Sequence, residues 1–179
     1  MTFIALLLAG LLTGPLTVRD TDGRSLSLLS PSGRQVDVVF FLSTDCPISN
    51  RYAPEIQRIC ADYRSKDVRC ITVYPDAGDV AAVKRHRQEY GFNDTVRAVL
   101  DRDHAIVRAV GPHVTPEAAV YSSKGRMYRG RIDDLYIDVG RARREPTRHD
   151  LRAAIDAVLA GRTVAPAETE GIGCFLQTP

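Results

Sequence analysis

The chain has 179 residues, 44% of them apolar and 26% charged, with a formal charge of +2. That length suits one domain with a full core, the apolar share excludes a disordered chain, and the near-neutral charge marks no nucleic-acid binder. The four cysteines, Cys46, Cys60, Cys70 and Cys174, are too few for a disulfide-scaffold mini-protein, and no zinc-type CxxC pair occurs. A catalytic or redox use of cysteine is the first expectation.

In chain order, residues 1–14 form an apolar run resembling a signal-peptide core, too short to span a bilayer comfortably. No Lys or Arg precedes it and no A-x-A site follows. Export to the periplasm or beyond is expected, with any membrane attachment through this segment alone; a buried N-terminal segment in a cytoplasmic protein is the alternative. Residues 16–18 and 26–29 flank Asp20-Thr21-Asp22-Gly23 and predict a hairpin with an Asp-Gly turn. Val38 to Leu42 is apolar at every position, as in a strand buried on both faces.

A helix is predicted over 47–64, with Tyr52, Ile56, Ile59, Cys60 and Tyr63 at helical spacing and Pro54 in its early turns. A buried strand follows over 68–74, a polar helix over 79–90, a short strand over 96–100 and a short helix over 103–110. Residues 117–121 and 126–132 pair across Ser122-Ser123-Lys124-Gly125 as a second hairpin. Thr147 and Asp150 form a capping-box-like start for a last helix that Gly161 ends. From Thr163 periodicity is lost. The expected organisation is an N-terminal segment over 1–14, one domain over 15–162 and a tail over 163–179. Early β-α alternation with late antiparallel pairing predicts an α/β fold: a central mixed sheet with helices on both faces and an N-terminal β-hairpin.

Cys46 stands where the central strand hands over to a helix. Pro47 suits the first helical turn, where its missing N–H costs nothing. Free N–H groups and the helix dipole at that point favour thiolate over thiol. The carboxylate of neighbouring Asp45 opposes that preference. A reactive thiol is expected in place of a merely buried one.

Strand, then Cys46-Pro47-Ile48-Ser49 at a helix start, then an α/β core and Val114-Thr115-Pro116 before a hairpin: this order, over roughly residues 16–160, resembles the thioredoxin superfamily. Cys46 to Ser49 hold the place of its CxxC motif, and Thr115-Pro116 that of its cis-proline loop. More narrowly, Asp45-Cys46-Pro47-Ile48-Ser49-Asn50-Arg51-Tyr52-Ala53-Pro54-Glu55 and Tyr128-Arg129-Gly130-Arg131-Ile132-Asp133-Asp134 resemble the redoxin group. That group includes the alkyl hydroperoxide reductase/thiol-specific antioxidant proteins and their extracytoplasmic relatives. The chain departs from the pattern in three places. Ser49 replaces the second cysteine, so no local dithiol cycle exists. Thr44-Asp45 stand where a Trp is usual. Against the peroxiredoxin pattern P-x-x-x-T-x-x-C, Ser43 holds the threonine position and Val39 the proline position.

The resemblance implies a thiol-based oxidoreductase with Cys46 as nucleophile. Its partners would be a protein thiol or disulfide, or a peroxide, and an external thiol reductant. No cofactor is called for. The expected site comprises Cys46, Thr115, Pro116, Cys174 and Arg131. Cys174, flanked by Gly171 and Gly173, is either an incidental tail residue or the thiol that resolves oxidised Cys46. Arg131, with Arg129 two residues away on one strand face, could stabilise a thiolate or bind a peroxide oxygen; a solvated face is the alternative. Cys60 and Cys70, on a helix and on the strand that returns beside it, are either a structural disulfide or two unpaired core thiols. The four histidines make no metal-ligand pair at helical spacing. The competing reading is a non-catalytic binding module or a Cu(I) chaperone, with Cys174 or His113 as second soft ligand.

Overall fold

The structure, a computed structural model, describes residues 16–31 and 36–176. The apolar stretch 1–14 lies outside them. Five strands build the main sheet: β3 (Val36–Phe41), β4 (Val68–Tyr74), β5 (Arg97–Leu100), β7 (Glu117–Ser122) and β8 (Gly125–Gly130). Their order is β5-β4-β3-β7-β8. β3 pairs parallel with β4 and antiparallel with β7, so the sheet is mixed. β1 (Leu16–Arg19) and β2 (Ser25–Leu28) form the expected N-terminal hairpin as a separate two-stranded sheet.

The period of a strand decides which face each side chain serves. On β3, Val36, Val38 and Phe40 join one core with residues of α1 (Pro47–Tyr63), α2 (Val80–Glu89) and α4 (Asp150–Leu159). Val39 and Phe41 face the other core, with α3 (Ala105–Val110) and Leu26 and Leu28 of the hairpin. Every residue of β3 is buried. The one charge among them, Asp37, binds Arg69 of β4 through two hydrogen bonds of 2.8 and 2.5 Å. Arg69 also donates to the Ser27 carbonyl at 2.6 Å, which ties the hairpin to the sheet. Removing one partner of such a buried pair leaves an uncompensated charge, at a cost of about 3–5 kcal/mol.

α1 buries Tyr52, Ile56, Ile59, Cys60 and Tyr63, the stripe its spacing predicts, and runs on through Pro54. It ends at Tyr63, within a residue of the expected end, and a 3₁₀ turn at Arg64–Lys66 follows. Cys60 and Cys70 are joined in a disulfide with Cα atoms 5.9 Å apart. Of the two readings the spacing left open, the structure adopts the bonded one.

Three features differ from the sequence expectation. Thr147 does not cap α4. Its N–H and hydroxyl both donate to Asp134 at 2.6 Å, and the helix begins after His149 with no side-chain cap. Both donors of Thr147 go to the buried Asp134, and the Asp150 carboxylate at the expected N3 position is taken by Arg131 at 2.7 Å, so no reciprocal capping box forms. Two short strands, β9 (Tyr136–Asp138) and β10 (Arg141–Ala142), form an unpredicted hairpin before α4. At two and three residues, neither carries a readable period.

The third is the C-terminal segment, which is a docked strap and not a loose tail. Arg129 N–H donates to the Ala167 carbonyl at 3.0 Å, and Thr169 N–H donates to the Arg129 carbonyl at 3.1 Å. β11 (Cys174–Phe175) then pairs antiparallel with β6 (Val114–Thr115). Two glycines permit this. At Gly130, φ is +148°, and an added Cβ would stand 2.2 Å from Thr169 Oγ1. At Gly173 it would stand 2.1 Å from the Thr115 carbonyl oxygen. Among the described residues no helix is long and apolar enough to cross a membrane.

Two predictions follow from this packing. Closing a loop with a sequence separation of 10 restricts the unfolded chain, so Cys60→Ala/Cys70→Ala should lose about 3 kcal/mol in urea unfolding. The second concerns Asp134. Burial opposes its ionisation, but hydrogen bonds from Thr147 and Arg148 outweigh that and hold its pKa at about 2, below the ordinary 3.8. A lowered folded-state pKa gives stability that is present above 3.8 and lost as pH falls through about 2. Asp134→Asn should therefore lower the melting temperature at pH 7, and the gap from wild type should narrow as pH approaches 2.

Candidate functional site

The site forms where β3 stops. Leu42 N–H still donates to the Val73 carbonyl at 2.9 Å, and Ser43, Thr44 and Asp45 then turn the chain into α1. Cys46 is the N-cap, with extended backbone angles of −85° and 111° and Pro47 opening the first turn. Its carbonyl accepts the first helical bond, from Asn50 N–H at 3.0 Å. Its sulfur lies 3.5 Å from the Ser49 N–H, in the place a capping oxygen would hold. That contact and the helix dipole both favour negative charge on Sγ. Asp45, the opposing carboxylate, is exposed to solvent, where its field is screened.

Ser49 has a role of its own. It is buried, and its Oγ accepts the Ser43 N–H at 3.4 Å, bracing the turn that presents Cys46. A second brace runs through Asn50. Its side-chain amide donates to the Thr44 carbonyl at 3.3 Å, and its Oδ1 meets His86 Nε2 at 2.9 Å. The Tyr74 hydroxyl meets His86 Nδ1 at 3.2 Å. With the proton on Nε2, the neutral ring donates to Asn50 and accepts from Tyr74. Burial pulls the His86 pKa below its ordinary value, which keeps the ring neutral. The same burial pushes the Tyr74 hydroxyl up to about 12.

The other wall is the loop at Val114-Thr115-Pro116. The Thr115–Pro116 peptide is cis. The Thr115 carbonyl oxygen lies 3.1 Å from Cys46 Sγ, and the Thr115 hydroxyl is buried without a partner among the described residues. Glu117, nearly fully buried, holds this loop. Its Oε2 accepts the His113 and Val114 N–H groups at 2.9 and 3.4 Å.

Cys174 arrives on β11. Thr115 is its partner across the β6–β11 pair, and its sulfur is bonded to that of Cys46, with Cα atoms 6.0 Å apart. The sequence separation is 128. Thus Cys46, Thr115, Pro116 and Cys174, four of the five expected site residues, meet at one point. Beside them, Tyr52 on α1 donates to Asp133 at 2.5 Å. Burial raises the Asp133 carboxyl above its usual range although Tyr52 and the Leu135 N–H both donate to it. Burial and this carboxyl together push the Tyr52 hydroxyl up.

Arg131, the fifth, borders the small cleft that Pro116, Tyr52 and Asp133 line. Its Nε donates to Asp150 at 2.7 Å, and among the described residues no hydrogen bond or ion pair joins it to Cys46 or Cys174. The guanidinium is fastened to the start of α4. Arg129 is also engaged: it bonds the Gly111 carbonyl and pairs with Glu117 at 3.6 Å and Glu168 at 3.3 Å. It links the Pro116 loop to the strap. Glu117 escaped the sequence reading, although a charged residue directly after Thr115-Pro116, at the head of an apolar strand, is a visible signal.

The sequence matches the Redoxin family over residues 13–128, more than half of the chain. A search of the curated proteins finds no match. Among solved structures, an uncharacterized conserved protein from Geobacillus kaustophilus is similar at 22% identity, over 93% of this chain and 89% of its own, with a TM-score of 0.79. A hypothetical protein from Sinorhizobium meliloti 1021 is similar at 24% identity, over 93% and 92%, with a TM-score of 0.76. A secreted Mycobacterium tuberculosis disulfide oxidoreductase, described as homologous to E. coli DsbE, is similar at 18% identity, over 82% and 96%, with a TM-score of 0.55. At these identities the likeness is one of fold. The family match and the mixed five-stranded sheet with its helices agree: the chain belongs to the Redoxin family, thiol oxidoreductases of the thioredoxin superfamily.

Proposed function

We propose that the protein is a thiol–disulfide oxidoreductase that cycles between a Cys46/Cys174 dithiol and the Cys46–Cys174 disulfide. The observation that carries this reading is the bond itself, placed at the N-terminus of α1 against the Thr115–Pro116 loop. In the reduced state the Cys46 thiolate attacks one sulfur of a substrate disulfide and expels the other as a thiolate. Cys174 then attacks Cys46 in the mixed disulfide and releases the second substrate sulfur. The substrate gains two electrons and two protons, and the protein gains its own disulfide. The strap thus supplies the thiol that Ser49 removed from the motif.

Disulfide exchange is favoured over peroxide reduction by two particulars. Val39 stands in place of the proline of the peroxiredoxin pattern, and the nearby guanidinium of Arg131 is held by Asp150. A copper-binding role is disfavoured because the two sulfurs it would use are spent on each other. The Cys60–Cys70 disulfide, separate from the cycling pair, supports an oxidising, extracytoplasmic setting. The partners on this reading are protein thiols and disulfides.

In an insulin-reduction assay, Cys46→Ser should abolish turnover. Cys174→Ser should keep the first step and accumulate a mixed disulfide on Cys46, seen by mass analysis of unreduced peptides. Turnover by Cys46→Ser equal to wild type would sink the assignment. Gly173→Ala tests the strap: its Cβ would collide with the Thr115 backbone, where nothing flexible can yield. We expect slower closure of Cys46–Cys174 on oxidation, by about tenfold if the displaced strap costs near 1.4 kcal/mol in the closing step. Stopped alkylation time points would read the rate.

A further inference from the structure

His86 stands in the last turn of α2, 5% exposed, and among the described residues no hydrogen bond joins it to Cys46 or Cys174. Its ring lies among three aromatic rings, with centroids 4.7 Å from Tyr90, 5.4 Å from Tyr74 and 6.2 Å from Phe92. A phenylalanine would fill such a place with no polar atom to satisfy, and a buried polar group is costly unless hydrogen-bonded. What the imidazole adds is a directed donor. With the Tyr74 hydroxyl donating to Nδ1 at 3.2 Å, the proton of the neutral ring is on Nε2, 2.9 Å from Asn50 Oδ1. A side-chain amide has a donor end and an acceptor end. The Nε2–H therefore selects one orientation of Asn50, with Oδ1 towards α2 and Nδ2 towards the Thr44 carbonyl at 3.3 Å. The reverse orientation would set two oxygens against each other at Thr44 and two N–H groups against each other at His86. Asn50 also gives its backbone N–H to the Cys46 carbonyl at 3.0 Å, so one residue holds the chain at Thr44 and at Cys46.

We propose that His86 is a positioning residue for Cys46: acting through Asn50, it fixes the turn from Thr44 to Cys46 and with it the hold of the Ser49 N–H on the sulfur. The inference rests on the reading of Cys46 as the reacting thiol and adds what controls that thiol from a separate helix. The Ser49 N–H lies 3.5 Å from Sγ and favours the thiolate. Without the His86 donor, the Asn50 amide loses its orientation and the Thr44 carbonyl loses its partner. The turn then shifts, the sulfur moves off the Ser49 N–H, and the thiol keeps its proton to a higher pH. The ring must stay neutral for Nδ1 to accept from Tyr74. Burial secures this against Glu89 of α2 and Asp45 of the turn, which favour the charged form, and Arg87 of α2 acts with burial.

The test is alkylation of the reduced full-length chain across pH, read at the Cys46 peptide by mass analysis. His86→Phe removes the donor and keeps an aromatic ring. In His86→Phe and in Asn50→Ala the pH profile should move to higher pH, with alkylation about tenfold slower on its acid side. His86→Gln, which can still donate to Asn50, should keep the wild-type profile. Two residues acting in one chain do not add, so the double variant should match either single one. A lowered melting temperature with an unmoved profile makes His86 core packing alone and overturns the proposal. Additive effects in the double variant overturn it too, as does a Gln profile equal to that of Phe. Should His86→Phe fail to fold, Asn50→Ala decides: a moved profile supports the proposal and an unmoved one overturns it. If wild-type Cys46 itself titrates as a free thiol, the reacting-thiol reading fails, and the proposal with it.

Discussion

A short pairing of backbone strands governs this site. β11 lies antiparallel to β6, with Cys174 opposite Thr115 and Phe175 opposite Val114. The Leu176 N–H extends it to the His113 carbonyl at 3.1 Å. Thr115 already stands against Cys46 from the far side of the sheet's end, so whatever pairs with Thr115 is brought to that sulfur. Two residues of strand could not hold alone. They hold because the strap is also fastened at the backbone of Arg129, through Glu168 to Arg126 and Arg129, and through the Thr169 hydroxyl to Tyr128 and the Arg131 N–H. The sulfur-to-sulfur bond closes what these contacts have already aligned.

The charges near the site serve the scaffold more than the sulfur. Arg69 neutralises Asp37 inside the sheet, Arg129 joins Glu117 to Glu168, and Arg131 joins the end of β8 to the start of α4. A buried carboxylate is costly unless paired and hydrogen-bonded. Each of these acids meets a guanidinium, and Glu117 also takes two backbone N–H groups. What remains to stabilise a thiolate at Cys46 is the backbone itself: the helix N-terminus and the Ser49 N–H. These are fixed dipoles that need no reorganisation when the sulfur changes charge. The neutral His86 network locks the turn that aims them, at no cost of a buried charge.

Much of this was written locally. The apolar run of β3, Pro47 after Cys46, and the stripe from Tyr52 to Tyr63 each obey a short-range rule, since burial on two faces, helix entry and helical period act within a few residues. Cys46 as a helix-capping thiol follows from those rules alone, and so does the mixed architecture. Thr115-Pro116 was legible through its likeness to a family pattern and not through any property of the dipeptide. The choice between bonded and free Cys60 and Cys70 needed the height of α1 against β4, which no spacing states.

The sequence by itself determined the strand-to-helix turn at Cys46, the loss of its local partner to Ser49, and the presence of one thiol near the far end of the chain. Only the tertiary structure decided that this thiol arrives. Residues 163–176 carry no period because they pair with elements more than thirty residues away, and their order comes from β6, β8 and two cleared glycines. Tertiary packing likewise decided the arginines. Two residues apart in sequence, Arg129 and Arg131 look interchangeable, yet one is claimed by the Pro116 loop and the strap and the other by α4. Their partners, Glu117, Glu168 and Asp150, come from three separate elements, and pairing across such distances follows from how the elements pack.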